Sequence, residues 1–180
     1  MTDLKSMLPE EIQEYLAGIG EKPFRAKQIF RWISAGETDI DNMTDLSVSL
    51  REKLKSECTV TRAKIVSKLV SKIDGTVKYL FELADGEKIE TVFMRYKYGN
   101  TVCISTQAGC RMGCTFCASH INGFRRHLTP AEMLEQFIAL CEKNKNSSKI
   151  AVGMDIRAVS NFGDFLGAEF HVFHADKLGI

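Results

Sequence analysis

Three cysteines fall within eight residues, Gly109-Cys110-Arg111-Met112-Gly113-Cys114-Thr115-Phe116-Cys117, and their setting constrains this chain more than any other feature. They follow Thr101–Ser105, a short run that reads as a strand. They precede Thr129-Pro130-Ala131-Glu132, which joins a capping box to a proline at the first helical position. Met133, Leu134, Phe137, Ile138 and Cys141 then repeat at helical spacing. Strand, long loop and capped helix form one unit of a β/α barrel or of a doubly wound sheet, so the expected class is α/β.

Upstream the period is first helical and then alternating. Pro9 to Leu16 places Ile12, Tyr15 and Leu16 on one face and stops at Gly18 and Gly20. Lys22 and Pro23 open a second helix with Ala26, Ile29, Phe30 and Ile33 in line, and Trp32 is expected in the same core. A third helix, with Leu46, Leu50 and Leu54, follows a Thr44-Asp45 cap. From Ala63 apolar and polar residues alternate, and the pairs Asp74-Gly75 and Asp85-Gly86 signal tight hairpin turns. Strands are expected over about Ala63–Ile73, Thr76–Leu83 and Glu87–Met94, before Tyr98-Gly99-Asn100 breaks the chain. The expected organisation is a helical accessory module over 1–56 and a three-stranded meander over 57–98. The first part of a barrel, with the cysteine loop, follows over 99–148, and 149–180 is a divergent tail.

Composition narrows the setting. The formal net charge of +1 selects no partner, although Arg25, Lys27, Arg31 and other cations crowd the region from Lys22 to Lys72. On charge alone a solvated face is the better reading, and a phosphate-binding surface on the helical module is the sharper one. Charges interrupt the first apolar positions, so no signal peptide is expected, and no apolar run approaches the ~18 residues of a membrane span. A cytoplasmic, monomeric protein without membrane contact follows. In that reducing compartment clustered thiols indicate metal or redox chemistry more than structural disulfides.

Structural zinc takes four ligands in two separated pairs, and neither Cys103 nor His120 supplies a second pair here. A cubane cluster used only for electrons also takes four cysteines. A cubane held by three leaves one iron open to a small ligand, and glycines at 109 and 113 allow close backbone approach. A zinc knuckle and incidental thiols remain the alternatives.

This C-x3-C-x2-C spacing, with Phe116 before the last cysteine, resembles the signature of the radical S-adenosylmethionine superfamily. Asp85 to Met94, Thr101 to Cys110, Cys117-Ala118-Ser119 and Gly123 to Thr129 are similar to the RlmN family of dual-specificity RNA methyltransferases. So is the N-terminal stretch from Leu8-Pro9 to Ile29-Phe30. The resemblance implies methylation of adenosine C2 in 23S ribosomal RNA and in transfer RNA through a methyl-cysteine intermediate. It implies a [4Fe–4S] cluster, S-adenosyl-L-methionine and an electron donor such as flavodoxin. Carried over by position, Cys110, Cys114 and Cys117 match the cluster ligands, with Phe116 beside the cofactor. Cys103 matches the cysteine of a transient disulfide, and Glu90 the acceptor of the C2 proton.

By the residues alone, Cys103 between Val102 and Ile104 reads as a small core residue. Glu90, sharing a face with Val92 and Met94, is either a base of raised pKa or an ion-pair partner at a sheet edge. Cys58 and Cys141 read as structural, and His171 and His174 as surface histidines. After Cys141 the resemblance fades. Gly153-Met154 is all that remains of the family's Gly-Met-Gly-Glu-Pro stretch, and no later cysteine matches the methyl carrier. About 80 residues after Asn100 are fewer than a barrel typically needs. The chain is therefore expected not to complete methylation alone. The alternatives are a non-catalytic iron–sulfur or RNA-binding fragment and another radical S-adenosylmethionine enzyme.

Overall fold

In the computed structural model the described residues are 1–97, 99–112, 114–115, 121, 123–143 and 150–154, with Glu142 and 150–154 described by backbone alone. The N-terminal part is helical. A two-residue strand β1 (Thr2–Asp3) and a 3₁₀ turn (Leu4–Ser6) lead to α1 (Pro9–Gly18), α2 (Arg25–Ser34) and α3 (Val48–Glu57). Proline opens α1, and the Leu8 amide donates to Glu11 Oε2 at 2.6 Å, which satisfies an orphan donor of the first turn. Leu4, Ile12, Ile29, Ile33, Leu50 and Leu54 meet in one core, none more than 2% exposed. Burial of each contributes roughly 2 kcal/mol.

The cap of α3 differs from the sequence expectation. Ser47, not Thr44-Asp45, caps it, accepting from the Leu50 amide at 3.4 Å. Asp45 is occupied elsewhere. Its carboxylate takes the Trp32 indole N–H at 2.6 Å and Arg31 at 2.7 Å, and its carbonyl takes Arg25 at 3.0 Å. Trp32 accordingly packs half-buried at the margin of the core rather than inside it.

β2 (Cys58–Thr59) pairs in parallel with β1 and leads into a five-stranded sheet. Its strands are β3 (Lys64–Val70), β4 (Val77–Glu82), β5 (Lys88–Tyr96), β6 (Gly99–Ile104) and a last strand described below, in spatial order of the chain. Gly75 and Gly86 have φ of 71° and 85°, the left-handed conformation that the Asp-Gly turns require. On β4, Val77, Tyr79 and Phe81 are buried and Lys78 is exposed, a clean period of two. β3 does not keep that alternation. A register irregularity lies between Ile65 and Ser67, and Leu69 and Val70 are both exposed, because β3 is the sheet edge with a neighbour on one side only. The break expected at Tyr98 lies outside the described residues, and on either side of it Tyr96 pairs with Gly99.

Two-residue strands β7 (Gln107–Ala108) and β8 (Arg126–His127) pair across the cysteine loop. Then α4 (Pro130–Lys143) crosses the sheet and β9 (Ile150–Met154) joins it parallel to β6, with Val102 opposite Val152. Met133, Phe137, Leu140 and Cys141 of α4 share one core with Tyr79, Phe81, Phe93 and Val102. The strands of the meander and of the β6–α4–β9 unit thus share one sheet. Among the described residues the sheet is open rather than closed into a barrel. No helix among them is long and apolar enough to cross a membrane.

Helical module and sheet are joined by a buried ion pair. Lys5 Nζ meets Glu135 Oε2 with the lysine side chain fully covered, and Glu135 Oε1 also accepts the Ala63 amide at 3.4 Å. Removing one partner of a buried pair strands the other charge. Lys5→Ala should lower stability by about 3–5 kcal/mol in urea denaturation, far more than truncating an exposed lysine such as Lys27.

Candidate functional site

β5 and β6 present two different faces. Ile89, Thr91 and Phe93, with Val102 and Ile104, point towards α4 and are buried. Glu90, Val92 and Met94, with Thr101, Cys103 and Ser105, therefore lie on the opposite face. The register sets Val92 against Cys103, and the Ser105 hydroxyl donates to the Glu90 carbonyl at 2.7 Å. Glu90 and Cys103 thus share one face on neighbouring strands, one diagonal step apart, a separation of about 7–8 Å between Cα positions.

Cys103 is half-buried on the face away from the core, so it is not a core-filling residue. Glu90 is an ion-pair partner. Its Oε1 lies 2.8 Å from Lys78 Nζ, with both side chains about half exposed. Such a pair is worth at most about 1 kcal/mol, so the carboxylate can change partners at small cost.

Gln136 fixes where β6 ends. Fully buried on α4, it accepts from the Ser105 amide at 2.9 Å and from the Thr91 hydroxyl at 2.7 Å. It also donates to the Ser105 carbonyl at 2.9 Å and to the Glu132 carbonyl at 3.2 Å. A side-chain amide here replaces a strand neighbour and satisfies both backbone groups where β6 stops pairing.

The cysteine loop starts from an equally defined base. Gly109 has φ of +71°, and a Cβ placed there would lie 1.8 Å from the Gly123 carbonyl oxygen. Only glycine allows this approach. The Arg125 amide donates to the Ala108 carbonyl at 2.9 Å beside it. Arg126 clamps the returning strand, bonding Glu132 with two parallel contacts of 2.8 Å and Asp85, in the β4–β5 turn, at 2.7 Å. Burial is the largest influence on Glu132 and pushes its carboxyl up, yet the guanidinium and the Thr129 amide together hold it below the ordinary range. Asp85 is lowered too: desolvation is again the largest influence and raises it, but the Arg126 hydrogen bond, the Glu87 amide and the guanidinium charge together outweigh it. Glu132 and Thr129 also exchange the two bonds of the expected capping box, at 2.8 and 3.3 Å.

Cys110 and Cys114 are both half-buried on this loop, and the Met112 amide points at Cys110 Sγ from 3.5 Å. Arg111 stacks 3.9 Å over the Phe124 ring, folding the loop back upon its return. Just before the loop, Thr106 buries a hydroxyl that has no hydrogen-bond partner among the described residues. Cys117, Phe116 and His120 lie outside the described residues, as do His171 and His174. Among the described residues no three metal-ligating side chains converge. A tight glycine turn, a backbone amide facing sulfur and accessible thiols do fit a thiolate-bound inorganic cluster. Cys58 and Cys141 are buried in the two cores, as expected of structural thiols.

Lys78, Arg126 and Gln136 were not singled out from the sequence. Lys78 and Gln136 carry no local signal, since the Glu90 partner of Lys78 is 12 residues away and the strand partners of Gln136 are 31 and 45 away. Glu132 was visible as a cap, and only the fold turns it towards Arg126.

Residues 2–60 match the family model described as the ribosomal RNA large subunit methyltransferase N-terminal domain. A probable dual-specificity RNA methyltransferase RlmN of Alkaliphilus oremlandii is 51% identical over 140 residues, covering 78% of this chain and 41% of that protein. One from Geobacillus kaustophilus is 48% identical over 157 residues, covering 84% and 43%. One from Bacillus velezensis is 45% identical over 173 residues, covering 93% and 47%. A match covering 93% of 180 residues extends past residue 148, so part of the segment read as divergent aligns as well. The crystal structure of a radical SAM methyltransferase from Sphaerobacter thermophilus superposes with a TM-score of 0.73 at 36% identity, covering 84% of this chain and 46% of that one. The chain spans less than half the length of these relatives.

Two outcomes test the loop base. Gly109→Ala should strain the backbone and drive Ala108–Cys110 from Gly123–Phe124, with iron uptake on reconstitution falling several-fold while far-ultraviolet circular dichroism stays near normal. The carboxylates clamped by Arg126 have lowered folded values, so their stabilisation is complete above about pH 5 and is lost as pH falls below about 4. Arg126→Met should flatten that acid limb of the stability profile.

Proposed function

Because this chain belongs to the RlmN family, spanning an N-terminal region of it, we propose that it carries the RNA-facing module and cluster loop of a radical S-adenosylmethionine RNA methylation. The substrate on this reading is an adenosine of ribosomal or transfer RNA, methylated at C2. That carbon has no lone pair and no acidity a protein base can exploit. The observation that carries the reading is the 51% identity over 140 residues, together with three clustered thiols whose loop is built around an obligatory glycine.

Cys110, Cys114 and Cys117 are the residues we assign to a [4Fe–4S] cluster, with Phe116 at the cofactor. Three thiolates leave one iron for S-adenosylmethionine. When bound, such a cluster supplies an electron, drawn from a donor such as flavodoxin, for reductive cleavage of the sulfonium. The chain's own residues then have defined tasks. Glu90 takes the proton that leaves C2 once the methyl group has arrived. Lys78 holds one carboxylate oxygen, and Glu90 Oε2 has no partner among the described residues and is available to accept. Cys103, on the same face one diagonal step away, is the thiol that would attack the sulfur of the family's methyl-carrying cysteine, the new S–S bond forming as that sulfur's bond to the substrate carbon breaks and its electron pair is protonated to leave the methyl group. The methyl-carrying cysteine of the family has no counterpart after Cys141 in this sequence. The proposal is therefore confined to what these residues supply.

Anaerobic reconstitution with iron and sulfide should give a brown protein. Cys114→Ala should stay nearly colourless, and Glu90→Gln should colour as the unaltered chain does. Tight binding of one zinc ion with no cluster would overturn the assignment.

A further inference from the structure

The cations of the helical module are mostly committed to its own fold. Arg25 and Arg31 are held by Asp45, Arg51 donates to the Asp41 carbonyl, Lys53 to the Ile19 carbonyl at 2.8 Å, and Lys55 to the Asp41 carboxylate at 2.7 Å. Arg31 and Lys55 are thus paired with carboxylates, while Arg25, Arg51 and Lys53 keep their charge but are tied to carbonyls of the module itself. Lys22 and Lys27 are its exposed lysines with no ion-pair partner among the described residues.

A different set of cations remains available. Where the helical module meets the sheet edge and the end of α4, an open cleft of about 580 Å³ is lined by Arg62, Lys64, Ile65, Glu135, Ile138 and Lys143. Arg62, Lys64 and Lys143 are exposed. Lys64 and Lys143 have no hydrogen-bond or ion-pair partner among the described residues. Arg62 makes one long contact, to the Thr38 hydroxyl at 3.5 Å, and its field helps to lower the Glu37 carboxyl, after the Asp39 amide as the main cause. Among the described residues that line the cleft Glu135 is the one acid, and the buried Lys5 pairs with it. The cleft thus carries a net positive field from three elements: the β2–β3 connection, the start of β3 and the last turn of α4.

We propose that this cleft, and not the basic face of α2, is the chain's main contact with the RNA backbone. Its ligand is a run of phosphodiesters. Three cations on separate elements suit successive phosphates, and the half-buried Ile65 offers apolar surface to the sugars between them. The location has a consequence. The cleft floor holds Glu135, which ties module to sheet, so RNA seated there bridges both parts. The inference rests on the RNA-directed reading above.

The test uses the full chain and a folded transfer RNA transcript, with affinity measured across a salt series. Backbone contacts release counterions, so each lost contact should reduce the slope of log K against log salt by about 0.7–0.9. Arg62→Gln, Lys64→Gln and Lys143→Gln should each weaken binding several-fold at low salt and flatten the slope by that amount. Lys27→Gln, on α2, should change affinity less than two-fold. All four positions are exposed, and circular dichroism verifies that each variant is folded. Binding that is indifferent to the cleft variants, or that is lost in Lys27→Gln instead, overturns this proposal and leaves the RNA reading standing. No binding by the unaltered chain even at low salt overturns the RNA reading itself.

Discussion

The fold turns on three polar side chains buried along one helix. Glu132, Glu135 and Gln136 of α4 are 7%, 5% and 0% exposed, on an element whose remaining inward positions are apolar. A buried polar group costs several kcal/mol unless it is paired, so α4 settles only where all three find partners. Glu132 finds Arg126 at the return of the cysteine loop, Glu135 finds Lys5 of the helical module, and Gln136 finds Ser105 just past the end of β6 and Thr91 within β5. One helix thereby sets the loop, the module and the strand ends relative to each other. Hydrophobic burial drives the layer together without choosing a register, and these pairings choose it.

This arrangement places the candidate chemistry on the two sides of α4's influence. Inward-facing residues of β5 and β6 make the core, which obliges Glu90 and Cys103 to share the outer face. The loop with Cys110 and Cys114 springs from the same β6, past Ser105 held by Gln136. Candidate proton acceptor, candidate redox thiol and candidate cluster ligands are thus referred to one strand and one buried amide. Substitution of Gln136 would disturb all three while touching none of them.

Charge follows a comparable division. Within the helical module, ion pairs to Asp41 and Asp45 absorb cations that in sequence resemble a nucleic-acid patch. At the junction with the sheet the local acid is already neutralised by Lys5, and three cations face an open cleft. Counting lysines and arginines does not distinguish these cases, because pairing depends on neighbours distant in sequence.

Local signals were sufficient for much of the fold. Asp-Gly turns, the Thr129–Glu132 capping box and the periods of 3.6 and 2 specify α1, α2, β4, β5 and α4, because each depends on residues a few positions apart. The spacing of Cys110, Cys114 and Cys117 was legible for the same reason, since one loop carries all three. Long-range pairing decided the rest. Asp45 left the cap of α3 to Ser47 because Trp32 and Arg31 reach it in space. β3 lost its alternation at an edge position where its register shifts between Ile65 and Ser67, and β6 and β9 became parallel neighbours only through the α4 crossover. Glu90 met Lys78, and Gly109 met Gly123, by contacts that no short window of sequence contains. Residue types and spacings determined which chemistry this chain can host. The tertiary structure decided which groups stand together to host it, because burial forces polar side chains to find partners wherever the fold brings them.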